Sequence, residues 1–208
     1  MPLDSLIVDC LRHGACAGPS SLRGRSDMPL SSAGEAQIAH ALRHLERPQR
    51  LVTSPLRRCR DSAVQFASHW QLALEVDERL AEMDFGDWDG VALETLHQQH
   101  PEQLARFWQD PYRFPPPGAE PVATFTARCR EAWQALLGHS SQHTLVVTHA
   151  GVIKCWIAAA LGLETLSTSF LAALGVDYAH LVRFEVTRDD SGQSWSRLVY
   201  LGPSGGAP

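Results

Sequence analysis

Leu6-Ile7-Val8-Asp9-Cys10-Leu11 runs directly into Arg12-His13-Gly14, and these nine residues decide the fold. A run of six largely apolar residues, cut off by two polar ones and a glycine, spells a short buried strand. The same device returns at residues 144–148, where a strand leads through His149-Ala150-Gly151 into a helix carrying Val152, Ile153, Trp156 and Ile157. Between them Leu51-Val52-Thr53 reads as another strand. It opens into Ser54-Pro55-Leu56-Arg57-Arg58, with Pro55 suited to the first turn of a helix.

The segments between these strands carry a helical period. Ser32 and Glu35 form a capping-box signature ahead of Ile38, Ala41, Leu42 and Leu45, and Pro48 ends that helix. Ala63, Phe66, Ala67 and Trp70 give the next helix its buried stripe, and Val122, Phe125, Cys129, Ala132, Trp133 and Leu136 give a third. Residues 181–186 and 197–201 read as two further strands, and the tail 202–208 as frayed. Residues 14–29 form a loop rich in Gly, Pro and Ser. The stretch 82–121, punctuated by Gly86, Gly90, Pro101, Pro111 and Pro115-Pro116-Pro117, reads as an insertion of loops and short helices that caps a site. Strands alternating with helices predict an α/β three-layer sandwich with a mostly parallel central sheet. No repeat or linker divides the chain, so one domain over 1–208 is expected.

The 208 residues suffice for a sizeable core, and 44% hydrophobic with 20% charged residues excludes a disordered chain. Eighteen Lys and Arg against 23 Asp and Glu leave a net charge of -5, which argues against nucleic acid or an anionic membrane held by bulk charge. A bound anion must then rest on a few local cations. The five cysteines (Cys10, Cys16, Cys59, Cys129, Cys155) are scattered without a CxxC pair, which predicts neither a disulfide framework nor a zinc knuckle. Met1-Pro2-Leu3-Asp4 does not start a signal peptide, and the apolar run at 156–163 is far short of the roughly 20 residues that span a bilayer. A cytoplasmic location is the expectation.

Chemistry is expected at the strand ends, because the carboxyl edge of an open α/β sheet forms the ligand crevice. Arg12-His13-Gly14 and His149-Ala150-Gly151 both lie there, and the amides of the helix after Gly151 would face an anion. Arg58 reaches the same crevice from the start of its helix. Leu80-Ala81-Glu82-Met83-Asp84-Phe85-Gly86-Asp87-Trp88-Asp89-Gly90 adds a carboxylate beside an aromatic loop. In this order, RHG, SPLxR, LxExxFGxWxG and THAG resemble the histidine phosphatase (phosphoglycerate-mutase-like) family, over residues 6–162. Within it, Leu22-Arg23-Gly24-Arg25-Ser26-Asp27, Glu82 to Trp88, Phe107-Trp108-Gln109-Asp110-Pro111-Tyr112 and Pro116-Pro117-Gly118-Ala119-Glu120-Pro121 resemble the alpha-ribazole phosphatases, enzymes of cobalamin nucleotide-loop assembly.

The resemblance implies a metal-independent phosphomonoester hydrolase without cofactor, acting on a small-molecule phosphate monoester, with alpha-ribazole 5'-phosphate or the corresponding cobalamin phosphate as the expected substrate; a homodimer is left open. By position it makes His13 the nucleophile and Arg12 and Arg58 the phosphoryl clamp. His149 and the Ala150 amide would add donors, and Glu82 would act as acid and then base. The arginines disfavour protonation of His13. Glu82 is expected to carry its working proton chiefly in the substrate complex, where a phosphate dianion offsets them. The family's usual RHG-x-[ST]-x-x-N run is broken here: Cys16 stands at the hydroxyl position and Pro19 at the Asn. Arg25 and Ser26 are the candidates to contact phosphate instead. Trp88 and Trp108 are candidate substrate neighbours, and Trp133 and Trp156 core residues.

Alternatives within the class are a general small-molecule phosphatase and a phosphoglycerate mutase. Outside it stands a phospho-ligand binding module without turnover, against which the joint presence of His13 and Glu82 argues. His40 and His44 have zinc-helix spacing but lack the following Glu and lie off the apolar stripe. Asp87-Trp88-Asp89-Gly90 imitates an aspartate-nucleophile motif without the apolar strand that must precede it. No cysteine has an arginine six positions on, and neither a P-loop nor GxGxxG is present, so no metal, ATP or dinucleotide site is expected.

Overall fold

In β1 (Asp4–Arg12), Leu6, Val8 and Cys10 face one apolar cluster while Leu11 faces another, so both sides of this strand are covered. The same alternation sets Val52 against Leu51 in β2 (Arg50–Thr53), and Val146 against Leu145 and Val147 in β4 (His143–Thr148). These observations come from a computed structural model, which describes residues 4–163, 166–189, 191 and 193–203. The sheet has the order β3-β2-β4-β1-β5-β6. β3 (Leu74–Val76), β2, β4 and β1 run parallel, whereas β5 (His180–Arg188) and β6 (Ser194–Pro203) are added antiparallel.

Helices α1 (Ser32–His44) and α2 (Arg57–Trp70) cover one face through Ile38, Ala41, Ala63, Phe66 and Trp70. The other face takes α5 (Val122–Leu137) and α6 (Ala150–Ala160), whose Trp133 and Trp156 rings pack 5.2 Å apart. The insertion supplies α3 (Leu93–Gln99) and α4 (Pro101–Gln109) to the same side, and α7 (Thr168–Ala173) follows α6. The expected three-layer α/β sandwich is the observed one. No helix among the described residues is long and apolar enough to cross a membrane, and all five cysteines are free and buried.

Several boundaries differ from the sequence reading. The α1 cap is Ser31 rather than Ser32, because the Ser31 hydroxyl accepts from Gly34 N at 3.1 Å. Pro55 precedes the cap Leu56 instead of lying inside α2. β3 escaped notice because its three residues sit at the sheet edge, two of them exposed, with no apolar run to mark them. β6 continues through Gly202 and Pro203, pairing with Leu181 and His180, so the frayed tail can begin only later; 204–208 lie outside the described residues.

One buried ion network ties the centre of the sheet. Asp9 on β1, 1% exposed, accepts from Arg183 Nε and Nη2 on β5, both at 2.8 Å, and meets His143 Nε2 on β4 at 2.9 Å. Burial pushes the Asp9 carboxyl up, but the bonds from Arg183 and His143 outweigh it and hold it below the usual value. Its contribution to stability is therefore complete above the unfolded carboxyl value of about 3.9 and is lost as pH falls through the lower folded value. Asp9→Asn removes the buried carboxylate that faces Arg183 and His143 and is expected to cost roughly 3–5 kcal/mol, about 10 °C in Tm for a chain of this size. Thermal melts followed downward from neutral pH check both the loss and the disappearance of the Asp9 share of the acid-side decline.

Candidate active site

β1 delivers His13 to the carboxyl edge of the sheet, where its amide still bonds Thr148 O of β4 at 3.1 Å. The imidazole is buried, with Nδ1 2.7 Å from Gly14 O. A carbonyl only accepts, so Nδ1 carries the proton and Nε2 keeps a free lone pair. Gly14 permits this exit: a Cβ there would lie 2.3 Å from Gly34 O in the first turn of α1. Burial first, then the charges of Arg58 and Arg12, push His13 well below the ordinary histidine value. The ring is thus neutral, as expected of a nucleophile.

Arg58 is fully buried in the first turn of α2, and all its partners are neutral. Nη1 donates to Ser26 O (2.8 Å), Nη2 to Gly24 O (2.8 Å) and Arg23 O (3.1 Å), and Nε to His149 Nδ1 (3.2 Å). Arg12 donates from Nη1 to Val176 O at 2.5 Å and lies 4.1 Å over the Tyr178 ring, while its buried Nε has no partner. Among the described residues neither arginine forms an ion pair with a carboxylate. One fully buried and one half-buried cation without counterions make a site for an anion. Arg12 offers most of a guanidinium fork to it; Arg58 offers its charge and one remaining Nη1–H.

His149 ends β4 with its ring wholly buried, 5.2 Å from the His13 ring at 62°. Because Arg58 Nε can only donate, His149 Nδ1 accepts, and its Nε2–H is left for Ser54 Oγ at 2.7 Å. Direct donation to an anion, the expected contact, requires that proton to leave Ser54. Glu82 follows a 3-10 turn (Glu78–Leu80), and its carboxylate is held by Met83 N at Oε1 and Gly151 N at Oε2, both 3.0 Å. Gly151 is obligatory in this arrangement, since a Cβ would stand 2.1 Å from Glu82 Oε1. The Ala150 amide, first in α6, makes no hydrogen bond to a described residue and so stays available.

Arg25 and Ser26 are placed differently from expectation. The Ser26 hydroxyl is given to Asp89, whose carboxylate also accepts from the amides of Gly24 (3.2 Å), Arg25 and Ser26 (3.1 Å). Successive amides converging on one oxyanion form a nest, and here the protein fills it itself. Arg25 is exposed. The substitution at Cys16 leaves a buried thiol 3.8 Å from His13 Nδ1, and Pro19 is exposed. Trp88 is no substrate neighbour: it is buried in the insertion against Phe107 and His100, whereas Trp108 is half exposed. His40 and His44 stack on each other at exposed positions of α1.

Ser54, Cys59, Asp89 and Tyr178 were not read as site residues. Ser54 lies at a strand end and could have been found by that placement. The Cys59 thiol touches the His149 ring at 3.5 Å, and Tyr178 arrives from a loop before β5 that carries no motif. Asp89→Ala removes four acceptor bonds, each worth about 1 kcal/mol. Hydrogen exchange at the amides of Gly24, Arg25 and Ser26 is expected to quicken on the order of tenfold or more, with β1 and β4 unchanged.

Residues 9–197 match the histidine phosphatase superfamily (branch 1). A bifunctional protein of Mycobacterium tuberculosis is 33% identical over 195 residues, 91% of this chain; the chain spans about half of that relative, 52% of its length. Glucosyl-3-phosphoglycerate phosphatase of the same species is 30% identical over 180 residues, 79% of each chain. A solved structure of that mycobacterial enzyme superposes with a TM-score of 0.82 at 25% identity, over 96% of this chain and 99% of the other. A putative alpha-ribazole-5'-P phosphatase from Escherichia coli gives 0.80 at 24%, over 96% and 97%, a likeness of fold. The expected resemblance to alpha-ribazole phosphatases is therefore corrected in favour of the glucosyl-3-phosphoglycerate enzyme. Its motifs misled because they build scaffold: Asp89 pins residues 24–26, Trp88 and Phe107 pack inside the insertion, and Glu120 pairs with Arg128. With a match running from within β1 to within β6, the chain belongs to branch 1 of the histidine phosphatase superfamily.

Proposed function

We propose that the protein is a small-molecule phosphatase of broad specificity that hydrolyses phosphate monoesters through a phosphoryl group carried on His13. The observation that carries this reading is a buried and a half-buried arginine, neither with a carboxylate partner, flanking an imidazole with a free Nε2. In the first step Nε2 attacks phosphorus as the ester P–O bond breaks, and the departing oxygen takes the proton of the Glu82 carboxyl. In the second, Glu82 takes a proton from water while the water oxygen bonds phosphorus. The P–N bond breaks, its electron pair returns to Nε2, and inorganic phosphate leaves. Arg12 and Arg58 offset the charge on the phosphoryl oxygens throughout, with the Ala150 amide at the same rim.

Breadth is supported by the relatives. The mycobacterial phosphatase is named for glucosyl-3-phosphoglycerate, and a phosphatase of Hydrogenobacter thermophilus, 26% identical over 145 residues, is named for phosphoserine. The alcohols differ widely and the phosphate is common to both. A panel of glucosyl-3-phosphoglycerate, phosphoserine, 3-phosphoglycerate and p-nitrophenyl phosphate is expected to give kcat/KM values within about two orders of magnitude, too narrow a spread for a dedicated pocket. Conversion of 3-phosphoglycerate to its isomer without release of phosphate would instead mark a mutase.

Rapid-quench labelling of the wild type is expected to trap an acid-labile, base-stable phosphoryl adduct that is absent from His13→Ala, with turnover lost in that variant. Phosphate binding without any adduct or release would make the chain a binding module. Gly151→Ala forces the Glu82 carboxylate away from the α6 amide. Its kcat is expected to fall on the order of 10²-fold, with Tm kept within a few degrees.

A further inference from the structure

Glu82 follows the 3-10 turn Glu78–Leu80 and lies outside any helix or strand, and its placement is not explained by the turn itself. Arg128, in the second turn of α5, explains it. Nη1 donates to Arg79 O at 2.7 Å and Ala81 O at 2.6 Å, and Nη2 donates to Glu82 O at 3.0 Å. The other two donors, Nε and the second Nη2–H, go to Glu120 Oε1 at 2.7 Å and Oε2 at 2.8 Å. All five guanidinium hydrogens are thereby assigned.

Glu120 closes the ring from the far side. Its Oε2 accepts from Asp84 N at 3.3 Å, and its own amide donates to Asp84 O at 3.0 Å. The carbonyls of residues 79, 81 and 82 and the amide of residue 84 are thus fixed by one ion pair whose side chains are 14% and 12% exposed, and the Glu120 main-chain amide holds the residue 84 carbonyl. Arg128 also lies 4.7 Å over the Phe125 ring, which borders the space beside Gly151 where the Glu82 carboxylate is held. Only a planar fork with a bidentate partner reaches all these acceptors at once; an ammonium cannot.

We propose that Arg128 and Glu120 are positioning residues for the Glu82 carboxyl, fixing where its proton meets the leaving oxygen of the substrate. This rests on the reading of Glu82 as the acid. As the P–O bond breaks, an alkoxide must take that proton, whereas a nitrophenolate departs without it. Misplacing the acid therefore lowers kcat/KM, which reports the phosphorylation step, for alkyl phosphates and spares it for p-nitrophenyl phosphate, a selectivity that a general loss of stability does not produce; the base role of Glu82 in the shared hydrolysis step slows kcat for both esters alike.

The test measures kcat/KM for phosphoserine and for p-nitrophenyl phosphate in the wild type, Glu82→Gln, Arg128→Lys and the milder Glu120→Gln, with melting curves for each. In the Arg128 and Glu120 variants the alkyl ester is expected to slow by about 10–100-fold more than the aryl ester, following Glu82→Gln. Equal slowing of both esters in a folded Glu120→Gln protein, while Glu82→Gln discriminates between them, overturns the proposal alone. If Glu82→Gln itself fails to discriminate, the assignment of the acid falls and the proposal falls with it.

Discussion

The structure depends on holding two guanidinium charges at the sheet edge, one buried and one half-buried, without giving either a carboxylate. Their donors meet neutral acceptors instead. Val176 O serves Arg12, and the carbonyls of residues 23, 24 and 26 serve Arg58. Carbonyl dipoles fix direction but do not cancel charge, so the positive potential persists at the sheet edge. Both histidines respond to it and to their burial, and both are held neutral. A carboxylate placed on either arginine would occupy the position an incoming anion must take.

The sheet and the insertion divide the task of maintaining this arrangement. Parallel β1, β2 and β4 bring His13, Ser54 and His149 to one edge, and Asp9 locks β1 to both of its neighbours. The insertion does not simply lie over the site. Through Asp89 it holds the turn that cages Arg58, and through Glu120 it holds the strand exit that carries Glu82. Glu82 and the buried Arg58 are therefore both registered against one irregular segment, by one carboxylate each.

What the sequence made legible follows from this division. Strands with both faces covered leave continuous apolar runs, so β1, β2 and β4 could be read together with His13, Arg58 and His149 at their ends. The Glu82 motif could be read because its glycines and aromatics are unusual in combination. The roles of Asp89, Glu120 and Arg128 could not, because a carboxylate that receives amides 65 residues away leaves no local pattern. The partner of Ser26 escaped notice for the same reason: its hydroxyl donates to an acceptor far along the chain. The substrate resemblance failed where scaffold motifs were taken for recognition motifs.

The bond between His13 Nδ1 and the Gly14 carbonyl has one more consequence. In a serine triad the equivalent N–H faces an ionised aspartate, which lowers the energy of the imidazolium. Here a neutral amide dipole takes that place. A phosphorylated imidazole that keeps this proton is a cationic ring bonded to a phosphoryl group whose negative oxygens face the arginines. With no aspartate behind it the ring stays a good leaving group, and the covalent stage is prone to surrender its cargo to water.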